Sequence, residues 1–558
     1  MNYLQKKKLA FMSIANQVKG FIRTIMGALP LTLEGCVDEE SIIDYKLYGQ
    51  SVQDGEPAPD NPIEVESVGE KTTNLIPVVA DTVIAGVTIS VNEFGVVTLN
   101  GTCSASTNYE CPNFIVPTGI YSFCDYAEGT FPNENTMRTQ IKYGDNYAYR
   151  PMNGDISKFV YSFELTEPTT CKIRIRLSQG HTYNNCKLKP TLLSGTYTAD
   201  TIPEYEPYGK YKIPVTVSGR NLLSPYGWTS GTFNAGFVPS EYNYVVEEAI
   251  NYVECAFEAT YRAIASNMIK VSEIQKIGFK VNKNNENAVA VVMQFYDIDG
   301  NRVAYKIMTE DYMTPDKEYI IYKEGNYFKS NSDKVNALII KSNFIYMRLF
   351  LISRQKISGL RIYDFYASKD GDAGYEPYVE PITTNIYLDE PLRKVDDYAD
   401  YIDFESGKVV RAVGVVEFDG KQNYPVYALP SQNFYGFYKS ISNMKKGNRQ
   451  EGLCTYLYNQ KKTASRIWFG VGTNNIVYFS LPDIYNSATT DIDRMQAIKD
   501  WLAGLETPFI VYYILAEETE QPISLPTIPT FKGTNIVSAD TKIQPSNAEI
   551  KYYSNVKE

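Results

Sequence analysis

The chain has 558 residues, a formal net charge of −11, 44% hydrophobic residues and 46 tyrosines. This length predicts several domains, each of about 100–200 residues, and the negative charge argues against electrostatic binding to nucleic acid or to an anionic membrane. Since no apolar run approaches the roughly 18 residues that span a bilayer, we expect no membrane insertion.

The first predicted element is an α-helix within residues 1–30, ended by Gly27 and Pro30. From Phe11 to Ile25 its apolar residues recur at steps of three and four, which is the spacing of a coiled-coil seam, and Lys7 occupies the seam position between Leu4 and Phe11. The residues predicted to form this oligomerisation seam are Leu4, Phe11, Ile14, Val18, Phe21 and Ile25. We expect the helix to self-associate or to dock on another protein, and packing on its own domain is the alternative.

The start of this helix superficially resembles a signal peptide, because Lys6, Lys7 and Lys8 precede the short apolar run Leu9–Met12. Polar residues interrupt the run after Met12, and no small-x-small cleavage site follows it. We therefore predict no signal peptide.

Two modules with matching ends follow a predicted strand and Pro-rich linker region at residues 31–73. The first module opens at Asn74-Leu75 and closes at Tyr205–Tyr208, and the second opens at Asn221-Leu222 and closes at Tyr375–Tyr378. Both closing sequences read Tyr-Glu-Pro-Tyr. Each enclosed span suits one all-β domain, so we predict β-sandwich or jelly-roll modules at residues 74–210 and 211–380.

The last two strands predicted in each module support this repeat. Cys171–Arg176 corresponds to Phe344–Leu349, and a final strand follows at 187–193 in the first module and at 360–366 in the second. The other strands predicted in the first module lie at 87–91, 96–99, 120–124, 137–143 and 159–164, with turns at 92–95 and at Asn100-Gly101. In the second module, predicted strands at 288–296 and 302–307 flank a turn.

That turn, Asp297–Asn301, resembles part of a calcium-binding loop. Met308 stands where the last ligand of such a loop would be a glutamate. We therefore favour a hairpin turn over a metal site.

Residues 381–558 are predicted to form a β-rich domain with one helix. Thr490 and Asp493 have the spacing of a capping box at the start of this helix. Its predicted apolar side consists of Ile492, Met495, Trp501, Leu502 and Leu505. The predicted fold class is therefore mainly β and multidomain, with a coiled-coil-like helix at the N-terminus, tandem β-sandwich or jelly-roll modules, and this last domain.

The residues of the chain contain no recognisable catalytic motif. The only histidine is His181, the 8 cysteines include no Cys-x-x-Cys pair, and no phosphate-binding loop is present. We predict no metal, no cofactor and no enzymatic activity. Catalysis by a pair of carboxylates, as in glycosidases, stays an alternative because 65 residues are acidic and allow many such pairs. Free buried thiols are favoured over a disulfide between residues 103 and 186.

Two aromatic stretches are candidates for saccharide binding, because tyrosine rings stack on the apolar side of a pyranose while nearby polar groups bind its hydroxyls. The candidate residues are Tyr143, Tyr147 and Tyr149 in the stretch 142–150, and Tyr435 and Tyr438 in the stretch 432–438. Ordinary packing at strand ends is the alternative for both.

Stretches at both ends of the chain and at the module junctions resemble tail-tip proteins of phages and prophages of Gram-positive bacteria. They are Tyr48–Gly55, Ser67–Gly69 leading to Asn74, Ile386–Leu392, Tyr401–Phe404, Ile528–Thr534, Gln544–Asn547 and Tyr552–Asn555. The resemblance implies a homotrimer, sandwich domains similar to carbohydrate-binding modules, and docking to other tail or baseplate proteins through the N-terminal region.

The function predicted from this resemblance is attachment of a phage tail, or of a tail-like bacteriocin particle, to glycans of the host cell wall. The protein would be made in the bacterial cytoplasm and would act at the tail tip of the virion or particle. The alternatives are a glycan depolymerase that uses paired carboxylates and a baseplate spacer without a ligand.

Overall fold

The computed structural model describes most of the chain between residues 33 and 554. The described ranges are 33–34, 46–77, 80–130, 137–149, 158–224, 228–232, 238–239, 244–247, 252–257, 262–282, 289–309, 313–332, 335–353, 357–369, 371, 374–429, 434–445, 451–459, 467–472, 475–531, 533–539 and 548–554. Strands account for 54% of the residues and helices for 5%, so the mainly β, multi-sheet prediction is confirmed.

The predicted N-terminal helix at residues 1–30 lies outside the described residues. The same holds for its seam residues Leu4, Phe11, Ile14, Val18, Phe21 and Ile25. Helix and seam therefore stay predictions. Within the described part of the chain, no helix combines the length and the apolar character needed to cross a membrane.

The strands are numbered in chain order. Those before the first module are β1 Leu33–Glu34, β2 Lys46–Tyr48, β3 Ser51–Val52, β4 Glu66–Ser67 and β5 Glu70–Lys71. Those of the first module are β6 Thr82–Ile84, β7 Val87–Val91, β8 Val97–Thr102, β9 Thr107–Glu110, β10 Phe114–Val116, β11 Gly119–Thr130, β12 Met137–Tyr143, β13 Asn146–Tyr149, β14 Lys158–Leu165, β15 Thr169–Leu177 and β16 Thr182–Ser194.

The strand β17 Tyr211–Gly219 leads into the second module. That module contains β18 Thr229–Thr232, β19 Val238–Pro239, β20 Tyr244–Glu247, β21 Tyr252–Phe257, β22 Arg262–Ala265, β23 Ile269–Lys270, β24 Lys276–Val281, β25 Val289–Tyr296, β26 Arg302–Ile307, β27 Tyr319–Glu324, β28 Tyr327–Ser330, β29 Leu338–Ile339, β30 Tyr346–Ser353 and β31 Ile357–Ser368, with a 3-10 turn at Val271–Glu273.

The remaining strands and the α-helices follow the second module. They are β32 Ile382–Leu388, β33 Lys394–Val395, β34 Tyr398–Ala399, β35 Tyr401–Asp403, β36 Lys408–Phe418, β37 Val426–Leu429, β38 Phe434–Ser440, β39 Leu453–Cys454, β40 Trp468–Gly472, β41 Ile476–Ser480, α1 Pro482–Asn486, α2 Asp491–Ala503, β42 Phe509–Pro522, β43 Gly533–Ala539 and β44 Ala548–Ser554.

Each module is a long excursion between two neighbouring strands of one central sheet. This sheet has the order β32-β17-β43-β44, and β5 also pairs with β17. The first module leaves after β5 and returns into β17, and the second leaves after β17 and returns into β32. Both modules are therefore inserted into a scaffold built from segments before, between and after them.

This scaffold has its own hydrophobic core. Ile213, Val215 and Val217 of β17 point into it together with Ile386 and Leu388 of β32. Alternation of buried residues along β17 follows from the period of two in a strand that has one face on a core. The predicted division of the chain into 31–73, 74–210, 211–380 and 381–558 stays a prediction at its boundaries, although β17 pairs with strands from the first and the last of these ranges.

The two modules share one pattern of strand pairing. In the first module β16 pairs with β8 and β11, β8 pairs with β7, and β11 pairs with β14. In the second module β31 pairs with β21 and β24, β21 pairs with β20, and β24 pairs with β27. In the opposite sheets, β15 pairs with β9, β10 and β12, and β30 pairs with β22, β23 and β25. The predicted parallel between the last two strands of the modules is present in the structure.

Two sheets enclose one core in each module, which is a sandwich-like arrangement. In the first module Leu99 and Phe123 of one sheet and Ile141 and Ile173 of the other belong to the same buried cluster. In the second module the clustered residues come from both sheets in the same manner.

The predicted turn at Asn100-Gly101 is wrong, because both residues lie within β8, where Gly101 has a φ of 118° and its α-carbon faces Val87.

An asparagine at the start of the first module joins its first and last segments. The side-chain oxygen of Asn74 accepts hydrogen bonds from the backbone N–H groups of Ile76 (3.1 Å) and Leu192 (3.1 Å). Its amide donates to the carbonyl oxygens of Pro190 (3.4 Å) and Glu206 (3.2 Å). The matching ends of the module are therefore held together by one buried side chain.

The second module has the same arrangement, in which one buried asparagine side chain joins the first and last segments of the module. We call this arrangement the asparagine clasp. The side-chain oxygen of Asn221 accepts from the N–H groups of Leu223 (2.9 Å) and Ala367 (3.2 Å). Its amide donates to the carbonyl oxygens of Phe365 (2.9 Å) and Glu376 (3.2 Å). The glutamate of each closing sequence also ion-pairs beside β17, Glu206 with Lys212 and Glu376 with Arg220.

The C-terminal unit contains the predicted helix, α2, and also the five-residue helix α1, so the prediction of one helix in this unit is wrong. The hydroxyl of Thr490 accepts a hydrogen bond from the backbone N–H of Asp493 at 3.2 Å, so the predicted N-cap is confirmed. Ile498 and Leu502 are its buried residues. The assignment of Ile492 to the apolar side is wrong, because that side chain is 75% exposed in the first turn of the helix.

Candidate functional site

The outer face of the sheet β10-β15-β12-β13 carries a row of polar and cationic side chains. Along β15 every second residue is buried, from Cys171 to Leu177, so Lys172, Arg174 and Arg176 project from the opposite face. Glu110 lies beside Arg174 and Asn108 beside Arg176 on the neighbouring strand β9. The strand period therefore places several hydrogen-bonding groups on one open surface.

These residues line a concave groove with a volume of about 520 Å³. The lining consists of Ser106, Thr107, Asn108, Gln140, Tyr147, Arg174 and Arg176. The volume lies within the range of small-molecule sites. We call this surface the arginine groove. Its described lining contains two cations and no carboxylate, on a chain with a net charge of −11.

A carboxylate next to the arginine groove holds two of the nearby cations. Glu110 accepts a hydrogen bond from the Nζ of Lys172 at 2.8 Å and from the Nε of Arg174 at 2.9 Å, and a terminal guanidinium nitrogen of Arg174 contacts the same oxygen. Its hydrogen bonds with Lys172 and Arg174 lower the pKa of Glu110 below its ordinary value. Arg174 is thus fixed in position, and its other N–H donors are not engaged by any described residue.

Arg176 lies on the open side of this arrangement. It is exposed, and no carboxylate among the described residues forms an ion pair with it. A guanidinium group carries five N–H donors in a planar fork that matches a carboxylate or a phosphate. The arginine groove can therefore bind an anionic group without first breaking an ion pair of Arg176.

The structure places the predicted saccharide residues Tyr143 and Tyr147 on opposite faces of this sheet. The hairpin between β12 and β13 has a two-residue turn, so Tyr147 lies opposite Lys142 and Tyr143 lies opposite Asn146. Tyr147 is 40% exposed and lines the groove, with the Cζ of Arg174 at 5.3 Å from its ring centre.

Tyr143 faces the interior instead, where its ring stacks on Phe163 with a centroid separation of 4.2 Å. Burial raises the pKa of Tyr143. Tyr149 pairs through its backbone with Gln140, and its side chain lies outside what the structure describes. Only Tyr147 of these three tyrosines is therefore shown at the arginine groove.

The structure does not bring the second predicted pair, Tyr435 and Tyr438, to one surface. They are three residues apart in β38 and therefore point to opposite faces of its sheet. Tyr435 packs against Tyr485 at 5.6 Å between ring centres, and Tyr438 packs edge-on against Tyr427 at 6.3 Å. Packing with neighbouring rings accounts for both.

The corresponding face of the second module is closed. Gln294 faces Arg348 in the pairing of β25 with β30, just as Gln140 faces Arg174 in the first module. Phe350 occupies the position equivalent to Arg176 and is fully buried with Val292, Ala263, Ala265 and Ile352. The same register thus carries an open polar groove in one module and a buried apolar cluster in the other.

The described residues offer little support for a metal site or for a reactive cysteine. They contain no group of three or more His, Cys, Asp or Glu side chains able to hold a metal ion. The described cysteines are free and buried, as predicted, and burial raises the pKa of Cys111 and of Cys454 to about 12. Such thiols are not reactive nucleophiles near neutral pH.

A second cavity of about 680 Å³ lies between the strands before the first module and the C-terminal unit. Glu64, Glu66 and Glu70 are among its lining residues, together with Lys71 and Lys212. Its walls belong to the scaffold rather than to either module. A paired-carboxylate mechanism would draw on carboxylates in such a cavity, and Asp145 and Glu167 line a further one of about 470 Å³.

Comparisons with known proteins add little to this geometry. No family model and no curated protein matches the sequence. One similar solved structure is the full extracellular region of zebrafish Gpr126/Adgrg6, at 9% sequence identity and a TM-score of 0.14. The match covers 81% of this chain and 63% of that one, and a TM-score this low carries no argument about fold or function.

Proposed function

We propose that this protein is a tail-tip component of a phage, or of a phage-tail-like particle, and that it attaches the particle to a glycan of the host cell surface. The sequence resemblance supports the particle. The observation that carries the attachment role is the arginine groove, which combines an exposed tyrosine ring with amide and guanidinium donors. Aromatic rings and planar donors are the groups that bind the two sides of a sugar.

The inserted modules suit this role, and we interpret them as β-sandwiches of the carbohydrate-binding kind. Insertion into one scaffold sheet attaches both ends of the first module to neighbouring strands of the same support. Because the equivalent face of the second module is closed by Phe350 and its neighbours, we propose that the second module acts chiefly as a spacer at that face.

Replacing Tyr147 by alanine is expected to weaken glycan binding by roughly tenfold, which corresponds to about 1.4 kcal/mol of lost stacking. The measurement is binding of the full chain to an array of bacterial cell-wall polysaccharides. Tyr327→Ala, at an exposed tyrosine of the second module, is the matched control and is expected to bind like the wild type.

Equal binding by the Tyr147→Ala and wild-type proteins would remove the arginine groove from the attachment role. A wild-type protein that binds no wall polysaccharide would favour the spacer function. Release of reducing ends from purified walls would favour the depolymerase, and its dependence on Glu64, Glu66 or Glu70 would locate the chemistry in the second cavity.

We further propose a homotrimer, joined through the seam of the N-terminal helix and docked there to other tail or baseplate proteins. Three copies would present three grooves, and the effective concentration would raise the avidity of individually weak sugar sites. The double substitution Phe11→Asp with Val18→Asp puts charges into the a/d seam and is expected to reduce the solution mass to that of a monomer.

Light scattering behind size-exclusion chromatography measures this mass. Asn16→Asp, a substitution on the side of the predicted helix away from the seam, is the control and is expected to keep the trimer. A double variant with an unchanged oligomeric mass would show that the seam does not hold the copies together.

A further inference from the structure

We infer that the ligand of the arginine groove is an acidic saccharide, whose carboxylate or phosphate group is bound by Arg174 and Arg176 while a sugar ring packs on Tyr147. This inference rests on the proposed attachment function and specifies its ligand class. A neutral glycan would need the aromatic ring and the amides of the groove but would give the guanidinium groups no charged partner.

The first argument is the arrangement of charge. Lys172, Arg174 and Arg176 project from one face of β15, and Lys142 lies opposite Lys172 on β12. Lys142 and Lys172 line a neighbouring cavity together with Asp145 and Glu167. At the groove itself the positive excess is that of Arg174 and Arg176 over the Glu110 carboxylate beside them. On a chain with a net charge of −11, such a local excess in a concave surface attracts anions selectively.

The second argument is that the side chains of the arginine groove are already positioned to bind an anionic group. The Glu110 carboxylate fixes the guanidinium of Arg174 at its Nε side, which leaves donors of Arg174 and all of Arg176 available at the lining. Charge-assisted hydrogen bonds from two guanidinium groups are stronger and more directional than those from neutral amides. The guanidinium of Arg174 lies over the ring of Tyr147, with its Cζ 5.3 Å from the ring centre, so a sugar that packs on the exposed part of this ring lies next to these donors.

The third argument is the comparison between the two modules. The pair Gln140 and Arg174 has the counterpart Gln294 and Arg348, but Arg176 has the counterpart Phe350. The open module thus has cations at several positions where the closed one has aromatic rings. Lys142 and Lys172 correspond to Tyr296 and Tyr346, and Arg176, which lines the groove, corresponds to Phe350. Arg176 is accordingly the residue on which acid selectivity depends.

Saturation-transfer NMR on the full chain tests this with matched sugars. The probes are methyl glucoside as the neutral sugar, and methyl glucuronoside and glucose 6-phosphate as its carboxylate and phosphate counterparts. We expect at least roughly fivefold stronger transfer to one or both anionic probes at low salt, because charged hydrogen bonds add to the same ring contact. The preferred anionic probe identifies whether carboxylate or phosphate is the natural group, and added salt is expected to reduce the preference.

Arg176→Gln keeps a hydrogen-bonding side chain and removes the charge. We expect it to lower transfer to the anionic probes to the level of methyl glucoside, so that the anionic-to-neutral ratio falls to about one. Arg302→Gln, at an exposed arginine of the second module, is expected to keep the wild-type ratio. Equal transfer to neutral and anionic probes that is lost in Tyr147→Ala would overturn the acidic ligand and keep the attachment function. Absence of transfer to every probe, together with an empty polysaccharide array, would overturn both.

Discussion

Replacing Asn221 by alanine is expected to destabilise the second module by about 3–5 kcal/mol. The side chain is 3% exposed and makes four hydrogen bonds that join the opening of the module to its last strand and to its closing sequence. Each backbone group left buried without a partner costs about 1–3 kcal/mol, and water that enters the cavity recovers part of this cost.

Hydrogen exchange measured by mass spectrometry separates this effect from global unfolding, since a chain of several domains does not unfold in one step. Peptides from β24, β30 and β31 are expected to exchange faster in Asn221→Ala, while peptides of the first module keep their wild-type rates. Asn74→Ala is expected to give the reciprocal pattern, because Asn74 holds the first module by the same four contacts. Asn336→Ala, at an exposed position of the second module, is the control, and wild-type exchange in Asn221→Ala would show that the clasp is dispensable.

Replacing Asp400 by alanine is expected to destabilise the scaffold by about 3–5 kcal/mol, since removing one partner of a buried ion pair leaves the other charge uncompensated. The Asp400 side chain is fully buried and pairs with Arg411 at 3.1 Å. Its other oxygen accepts from the backbone N–H groups of Ala412 and Val413, both at 2.9 Å, where the pairing of β36 with β42 shifts register. One carboxylate thus supports both the buried cation and the irregular point of the longest strand pair.

The double variant Asp400→Ala with Arg411→Leu is expected to recover part of the lost stability, because the unpaired guanidinium is also removed. Asp397→Ala, at an exposed aspartate of the same region, is the control. The effect is measured as hydrogen exchange of peptides from β36 and β42 at increasing urea concentrations. A double variant that is less stable than Asp400→Ala would contradict the proposed role of the ion pair, since Arg411 would then stabilise the scaffold without its carboxylate.

Much of the local structure was predictable from the sequence. Alternation identifies β7, β12 and β15, and the matching ends of the modules coincide with the asparagine clasps at Asn74 and Asn221. The insertion into a common sheet was not predictable in this way. β17 pairs with β32 and β43, which lie far along the chain, and pairings over such distances leave no local pattern in the sequence.

The candidate site was predicted in part, because Tyr147 belongs to it and Tyr143 does not. Abundant tyrosine gave no means of separating exposed rings from buried ones. The two-residue turn between β12 and β13, which moves Tyr143 and Tyr147 to opposite faces, contains the signal that would have done so. Arg174 and Arg176 were missed as binding residues, although their alternation with Ile173, Ile175 and Leu177 already indicates an outward cationic face.

The position of the two modules between adjacent strands has a consequence for how such proteins diversify. The chain leaves the scaffold after β5 and returns to it at the neighbouring strand β17. Any module inserted there therefore has to bridge the same short distance between its two ends. Under the proposed attachment function, exchange of the whole segment from Asn74 to Glu206 would therefore change the ligand while every strand pairing of the supporting sheet is retained. Under that proposal, a new ligand specificity would require no change in the scaffold.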